Sequence, residues 1–226
     1  MEICLIRHGR TSANEQKLYC GRTDLPLTAS GAAEIERLKG EGVYPDGADI
    51  FYTSGFARAN QTMEIIYGMA VGGDGHSAGD GVVSGNACGV CGGNTYSGGV
   101  RARVVVIADL AEFDFGAFEM KSYEELKIQP AYQRWITDET GGVRCPGGES
   151  NGIFTRRVIG AYARVLQETA QAAYRRAAVF CHGGTIVRIM EHLWPGAKNY
   201  YEWQPASGRG YALTYVNGII SEYKPL

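Results

Sequence analysis

The sequence predicts an α/β fold on a mostly parallel sheet, and three observations lead there. Residues 3–6, Ile-Cys-Leu-Ile, form an apolar run without alternation, as expected of a strand covered on both faces. A second such run, Ala177 to Cys181, lies near the other end of the chain. Each run breaks off into a histidine and glycine, Arg7-His8-Gly9 and His182-Gly183-Gly184, and helical periodicity separates the strands. A chain of 226 residues can bury such a core in one domain spanning 1–226.

After the first strand, residues from Thr11 to Thr28 have little periodicity and read as a loop containing Asn14 and the run Tyr19-Cys20-Gly21-Arg22-Thr23-Asp24. A helix begins around Leu27 to Gly31, with Thr28 or Ser30 as N-cap and Ile35 and Leu38 on one face, and continues through Lys39. Ile50-Phe51-Tyr52 is a short strand ending in Thr53-Ser54-Gly55. The helix after it, from about Ala57 to Tyr67, turns Met63, Ile66 and Tyr67 inward. Residues 68–100 then become glycine-rich, with too few apolar side chains to offset the entropy of ordering a core, so they read as an insertion. Within it, Cys88-Gly-Val-Cys91 and His76 lack both a second ligand pair and a surrounding βαβ pattern, so no metal or redox site is expected.

Val104 to Ile107 resumes the sheet, and Asp109 to Gly116 leaves it as a loop toward short helices around Tyr123–Lys127 and Pro130–Thr137. After a glycine and proline break from Gly141 to Ser150, an amphipathic helix runs from Asn151 to about Tyr174. The strand from Ala177 follows, then a helix from Thr185 to Leu193. A hairpin closes the chain, Tyr211 to Val216 and Ile219 to Tyr223, with Gly218 in its turn.

Lys and Arg total 22 against 24 Asp and Glu, so the chain offers no basic footprint for nucleic acid. No stretch approaches the roughly 20 apolar residues that cross a bilayer, and the N-terminus enters a charged turn instead of a signal-peptide core. No membrane partner is expected, and a cytoplasmic location is. The six cysteines are scattered, with Cys4 and Cys181 inside buried strands, which argues against a disulfide framework.

Open α/β sheets bind ligands beyond the carboxyl ends of their strands, where Arg7, His8 and Gly9 lie. Alone, these residues read better as a solvated strand end and a hydrogen-bonded turn residue than as a site. The second His-Gly strand end changes the balance, because glycine there weakens the element and histidine adds little core. If the two strands are neighbours, His8 and His182 face one pocket. Arg58, at the strand-to-helix junction after Thr53-Ser54-Gly55, either joins Arg7 in a fork suited to phosphate oxygens or is a surface helix cation. Glu112 follows another strand among Leu110, Phe113 and Phe115. A carboxyl group in apolar surroundings tends to keep its proton, which suits a general acid, although Asp109, Asp114 and Glu119 compete for the role. The nucleophile elbow of a serine hydrolase and a Walker loop are both absent from the sequence.

Six motifs occur in order: Arg7-His8-Gly9 with Thr11 and Asn14; Gly21 to Thr28 with Gly31; Ser54 through Arg58-Ala59 to Gln61-Thr62; Glu112 with Phe115-Gly116 and Glu119; Pro146-Gly147-Gly148-Glu149-Ser150; and His182-Gly183-Gly184. Together they resemble the signature of the histidine phosphatase (phosphoglycerate mutase-like) superfamily, over nearly the whole chain apart from residues 68–100. The loop Tyr19 to Asp24 and the segment from Phe118-Glu119 to Trp135 look most like its α-ribazole-phosphate phosphatase and broad-specificity phosphatase branch. The resemblance implies a three-layer α/β/α fold and hydrolysis of a small phosphate monoester, such as α-ribazole 5'-phosphate, through a phosphohistidine, with neither metal nor cofactor. On these positions it implies His8 as nucleophile and Glu112 as acid, then base. Arg7, Arg58, a protonated His182 and Asn14 would bind phosphate, and Gly21 and Gly183 would face the substrate.

Tyr19, Phe115 and Trp203 are aromatic candidates for the rim of the pocket. Two departures stand out. Arg10 occupies a position where the family often has Glu or Gln, and the paired arginines and prolines that follow the glutamate loop in true phosphoglycerate mutases have no match. Mutase-type phosphoryl transfer and a non-catalytic phospho-ligand sensor are the alternative readings. The closing hairpin offers an edge strand through which a homodimer can pair.

Overall fold

Alternate residues of the first strand point into two different cores, which explains why its sequence does not alternate. In the computed structural model, which describes residues 1–71 and 103–226 and the backbone of 82–84, Ile3, Cys4, Leu5 and Ile6 are all fully buried. Cys88, Cys91 and His76 lie outside the described residues. The strands are β1 (Glu2–Arg7), β2 (Ile50–Thr53), β3 (Val82–Ser84), β4 (Arg103–Val106), β5 (Arg176–Cys181), β6 (Gly210–Val216) and β7 (Ile219–Pro225). They form one sheet in the order β3-β4-β2-β5-β1-β6-β7. The inner four, β4, β2, β5 and β1, run parallel, and antiparallel strands close both edges.

The helices are α1 (Ser12–Glu15), α2 (Ala29–Gly40), α3 (Ala57–Tyr67), α4 (Tyr123–Leu126), α5 (Pro130–Ile136), α6 (Asn151–Gln171), α7 (Gly183–Leu193) and α8 (Tyr200–Trp203). On one face, Ile3, Leu5, Val179 and Cys181 pack with Val158, Tyr162 and Val165 of α6 and Ile186, Ile189 and Met190 of α7. On the other, Cys4, Ile6, Ala178 and Phe180 pack with Ile35 and Leu38 of α2 and Ala59, Met63 and Ile66 of α3. This is the expected three-layer α/β/α arrangement around a mostly parallel sheet. Each large apolar side chain so buried contributes about 1.5–3 kcal/mol, so a polar residue anywhere in the run would be costly.

Arg7 pairs in register with Cys181, so His8 and His182 leave the sheet side by side from adjacent strands. Thr28 is the N-cap of α2, its hydroxyl accepting from the Gly31 amide at 3.0 Å. Several boundaries differ from expectation. The loop after β1 contains α1, one turn held by a reciprocal Thr11–Asn14 capping box and too short to produce a period. Helix α6 ends at Gln171, and α7 starts at Gly183 with His182 as its N-cap. The unpredicted α8 carries Trp203, which is fully buried against Tyr211 and Tyr223 and so does not line the pocket rim. Among the described residues, no helix is long and apolar enough to cross a membrane, and Cys4, Cys20, Cys145 and Cys181 are free thiols.

Candidate active site

The histidine side of the site is made of strand ends. His8 leaves β1 with 5% of its surface exposed, and its Nδ1 lies 2.6 Å from the Gly9 carbonyl oxygen. A carbonyl only accepts, so Nδ1 carries the proton and Nε2 presents its lone pair. Burial, followed by the charges of Arg58 and Arg7, holds the His8 pKa well below the ordinary 6.5 and keeps that lone pair free. The Gly9 amide donates to Thr62 Oγ1 at 3.0 Å, which pins the turn to α3.

Two guanidiniums converge on this imidazole. Arg58, on the first turn of α3, is 1% exposed, which excludes its reading as a surface helix cation. It donates through Nη2 to Gly21 O at 2.8 Å, through Nη1 to Thr23 O at 2.9 Å and through Nε to His182 Nδ1 at 3.3 Å. Three of its five N–H groups are thus spent inside the protein, and two remain. Arg7 donates through Nη1 to Pro205 O at 2.6 Å, while its Nε is buried without a partner. A buried, unsatisfied cationic donor is costly, and an arriving anion relieves that cost.

His182 corrects an expectation. Its Nδ1 accepts from Arg58, so its proton is on Nε2 and donates to Ser54 Oγ at 2.9 Å. Burial first, then Arg58, His8 and Arg7, push its pKa well below the ordinary value, so the ring is neutral and not the expected cation. The reason is electrostatic: a third positive charge in a pocket already holding two guanidiniums is disfavoured. Its ring centroid lies 5.1 Å from that of His8, edge to face.

Asn14 commits its Oδ1 to the Thr11 amide and hydroxyl at 3.0 and 3.1 Å, leaving its amide nitrogen as the donor end. Gly21 offers the substrate no free backbone group, since its amide donates to Glu119 and its carbonyl accepts from Arg58. It is a glycine because a Cβ there would lie 1.6 Å from the Phe113 carbonyl oxygen. At Gly183, the first residue of α7, a Cβ would stand 3.0 Å from Gln204 Nε2 and 3.2 Å from the Arg7 guanidinium carbon. A side chain there would push Arg7 or Gln204 back by a few tenths of an ångström.

The Glu112 side has no regular element beneath it. Glu112 follows a 3-10 turn, Ala108–Leu110, and precedes another, Gly116–Phe118. Its expected apolar surroundings are not what the carboxylate meets: Leu110 and Phe113 turn into the core. Oε1 accepts from the Phe113 amide and Oε2 from the Gly184 amide, each at 2.9 Å. A Cβ on Gly184 would lie 2.4 Å from Oε1, so that glycine admits the carboxylate. The competing carboxylates are placed elsewhere. Asp109 is exposed, Asp114 accepts from the Gly116 amide at 3.0 Å, and Glu119 is bound to loop amides.

Side chains from two helices hold the Glu112 segment by its carbonyls. Arg157 of α6 donates to Asp109 O (2.8 Å), Ala111 O (3.0 Å) and Glu112 O (3.2 Å), and pairs with both carboxylate oxygens of Glu149 at 2.9 Å. Burial works against the Glu149 charge, but the bonds and charge of Arg157 outweigh it and hold its carboxyl below the usual range. Thr185 Oγ1 on α7 is shared between Leu110 O and Ala111 O at 3.2 and 3.1 Å. Sequence reasoning missed Arg157, Thr185 and Gln204, which no motif or period marks. Ser54 belongs to one of the sequence motifs, and its bond to His182 is a feature of the fold alone. Among the described residues, no group of three or more His, Cys, Asp or Glu side chains is arranged to hold a metal ion.

The family model described as histidine phosphatase superfamily (branch 1) matches residues 3–71 and 94–214. The probable phosphoglycerate mutase GpmB of Klebsiella pneumoniae is 27% identical over 184 residues, covering 81% of this chain and 70% of that protein. The solved α-ribazole phosphatase of Shigella flexneri shares the fold, with a TM-score of 0.73 at 22% identity, covering 98% of this chain and 94% of that one. A phosphoglycerate mutase from Thermus thermophilus gives a TM-score of 0.62 at 26% identity, covering 99% and 98%.

Proposed function

This chain belongs to the histidine phosphatase superfamily, and we propose that it is a metal-independent phosphomonoesterase acting through a phosphohistidine on His8. The observation that carries this reading is the His8 tautomer. Nδ1 is fixed on the Gly9 carbonyl, Nε2 is unprotonated, and two guanidiniums with unspent donors stand beside it. An imidazole held neutral between cations is poorly suited to binding phosphate as a charge and well suited to attacking it.

In the first step, His8 Nε2 attacks phosphorus in line, the P–N bond forms as the ester P–O bond breaks, and Glu112 gives its proton to the departing alkoxide. In the second, Glu112 takes a proton from water, the water oxygen bonds to phosphorus, and the P–N bond breaks to free phosphate and His8. Arg7, Arg58 and the Asn14 amide take the equatorial oxygens and neutralise the charge that spreads over them, which is most of what phosphoryl transfer requires. Each Glu112 oxygen accepts a single amide N–H, so a lone-pair direction remains to carry the proton. His182 acts through Arg58, from whose Nε it accepts a hydrogen bond while the loop carbonyls take the two terminal nitrogens.

The test is phosphate release in excess chelator from α-ribazole 5'-phosphate, an aryl phosphate, nucleotides and 3-phosphoglycerate, comparing wild type with His8→Ala. Release that survives chelation and vanishes in the variant supports the reading and ranks the substrates. Conversion of 3-phosphoglycerate to its isomer without net release would favour the mutase alternative, which the GpmB relative brings into the panel.

A further inference from the structure

We propose that Glu119 is a positioning residue that fixes Arg58 relative to Glu112, an inference that rests on the phosphatase reading of the same site. Its carboxylate is the meeting point of five donors. The amides of Gly21, Arg22 and Thr23 reach it at 2.9, 2.9 and 3.3 Å, the Thr23 hydroxyl at 2.8 Å and the Phe115 amide at 3.3 Å. Three consecutive amides therefore converge on one negative charge. The carbonyls of Gly21 and Thr23, on the other side of the same three residues, accept from the two terminal nitrogens of Arg58. The Gly21 carbonyl and the Arg22 amide belong to one peptide unit, so the guanidinium at one end and the carboxylate at the other polarise that dipole in one sense and each strengthens the other's hold.

Glu119 is also the C-cap of the 3-10 turn Gly116–Phe118, on the segment that leads away from Glu112. Through it, the acid-bearing segment grips the loop that grips the phosphate-binding arginine. The two segments touch directly as well, since Gly21 packs so close to the Phe113 carbonyl that no side chain fits between them. Glu119, which bonds to neither Arg58 nor Glu112 itself, thereby ties the loop that holds Arg58 to the segment that carries Glu112.

Glu119→Gln puts an amide nitrogen, which cannot accept, in place of one of the two oxygens on which these donors converge and removes the charge, so the loop keeps only part of its hold and the carbonyls that receive Arg58 shift. The loss expected in kcat/KM on an alkyl phosphate is about 10- to 100-fold, the range for hydrogen bonds to a charged group. Competitive inhibition by inorganic phosphate should weaken by a similar factor. The deciding measurement is a double-variant cycle with Arg58→Ala. If Glu119 acts through Arg58, adding Glu119→Gln to Arg58→Ala costs no more than about a further twofold, because coupled residues are not additive.

Thr23→Val removes only the hydroxyl bond at 2.8 Å and should show the same pattern at smaller amplitude. It carries the test if Glu119→Gln does not fold. Losses that multiply in the double variant, or a Glu119→Gln protein inhibited by phosphate like wild type, would overturn the proposal. A wild type that releases phosphate from no ester would instead overturn the phosphatase reading. The same cycle is then read from calorimetric binding of inorganic phosphate.

Discussion

The two halves of the site are built by different means. On the nucleophile side, His8 and His182 are the residues at which β1 and β5 stop, and Arg58 is on the first turn of the helix after β2. Backbone pairing in the sheet places them, and burial sets their charge. On the acid side, Glu112 stands between two 3-10 turns, and its segment is held by Arg157 and Thr185 reaching in from elsewhere. The first half is positioned by topology and the second by side chains on carbonyls and amides. The nucleophile half should therefore fail through chemistry, and the acid half through geometry.

His8→Ala tests the first half most severely. Phosphate release from every ester should fall by about 10⁴-fold or more, the scale seen when a covalent nucleophile is removed, with the fold unchanged by circular dichroism. Next in size, Glu112→Gln should lower kcat/KM, which reports phosphoryl transfer to His8 and not the later attack of water, by about 10²- to 10⁴-fold on an alkyl phosphate and far less on an aryl phosphate, whose leaving group needs no proton. Equal losses on both substrates would remove Glu112 from the role of acid.

Arg157→Ala removes both 2.9 Å bonds to the largely buried Glu149 and leaves it the Asp114 amide at 3.2 Å and Arg22 at 3.7 Å, which should cost roughly 1.5–3 kcal/mol of stability in chemical denaturation. The surviving activity should show the leaving-group dependence of Glu112→Gln. If it lost activity evenly on both substrates, the acid half would not depend on Arg157 for its geometry. Gly184→Ala is milder: its Cβ would stand 2.4 Å from Glu112 Oε1, so alkyl phosphate turnover should drop by about 10-fold with little change in phosphate inhibition.

The smallest effect is on pH dependence, and it belongs to the nucleophile half. Both histidines have pKa values pushed well below 6.5 in the folded protein. Below about 6.5 the unfolded chain therefore binds protons that the folded one refuses, so stability is complete above that value and declines as pH falls through it. Melting temperature followed downward from neutral pH should fall less steeply in a folded His182→Asn variant than in wild type. An unchanged slope would mean that His182 is not held neutral.

The same division explains what could be read in the sequence. Arg7, His8, Arg58 and His182 were legible because an apolar run ending in histidine and glycine has few packing explanations and the ends of neighbouring strands must meet. Glu112 was legible as a carboxylate after a strand, but its environment was not. Side-chain sequence neighbours such as Phe113 pointed to an apolar pocket, while the groups that meet the carboxylate are backbone amides, including that of Gly184, 72 residues away. Arg157 and Thr185 left no trace in the sequence, because a cation on an amphipathic helix and a threonine near a helix start are ordinary residues there. Their function comes only from carbonyls supplied by a distant loop. The charge of His182 was misjudged for a similar reason, since it depends on how many cations share the pocket and not on the residue itself.

The most direct test of the account is to trap the intermediate. Wild-type enzyme mixed with a labelled phosphate ester in excess chelator, quenched in alkali to spare an acid-labile phosphoramidate and digested, should carry the label on the peptide containing His8. Labelling should form faster than steady-state turnover and be absent from His8→Ala. Turnover by wild type with no label on His8, or with the label on another residue, would contradict the account at its centre.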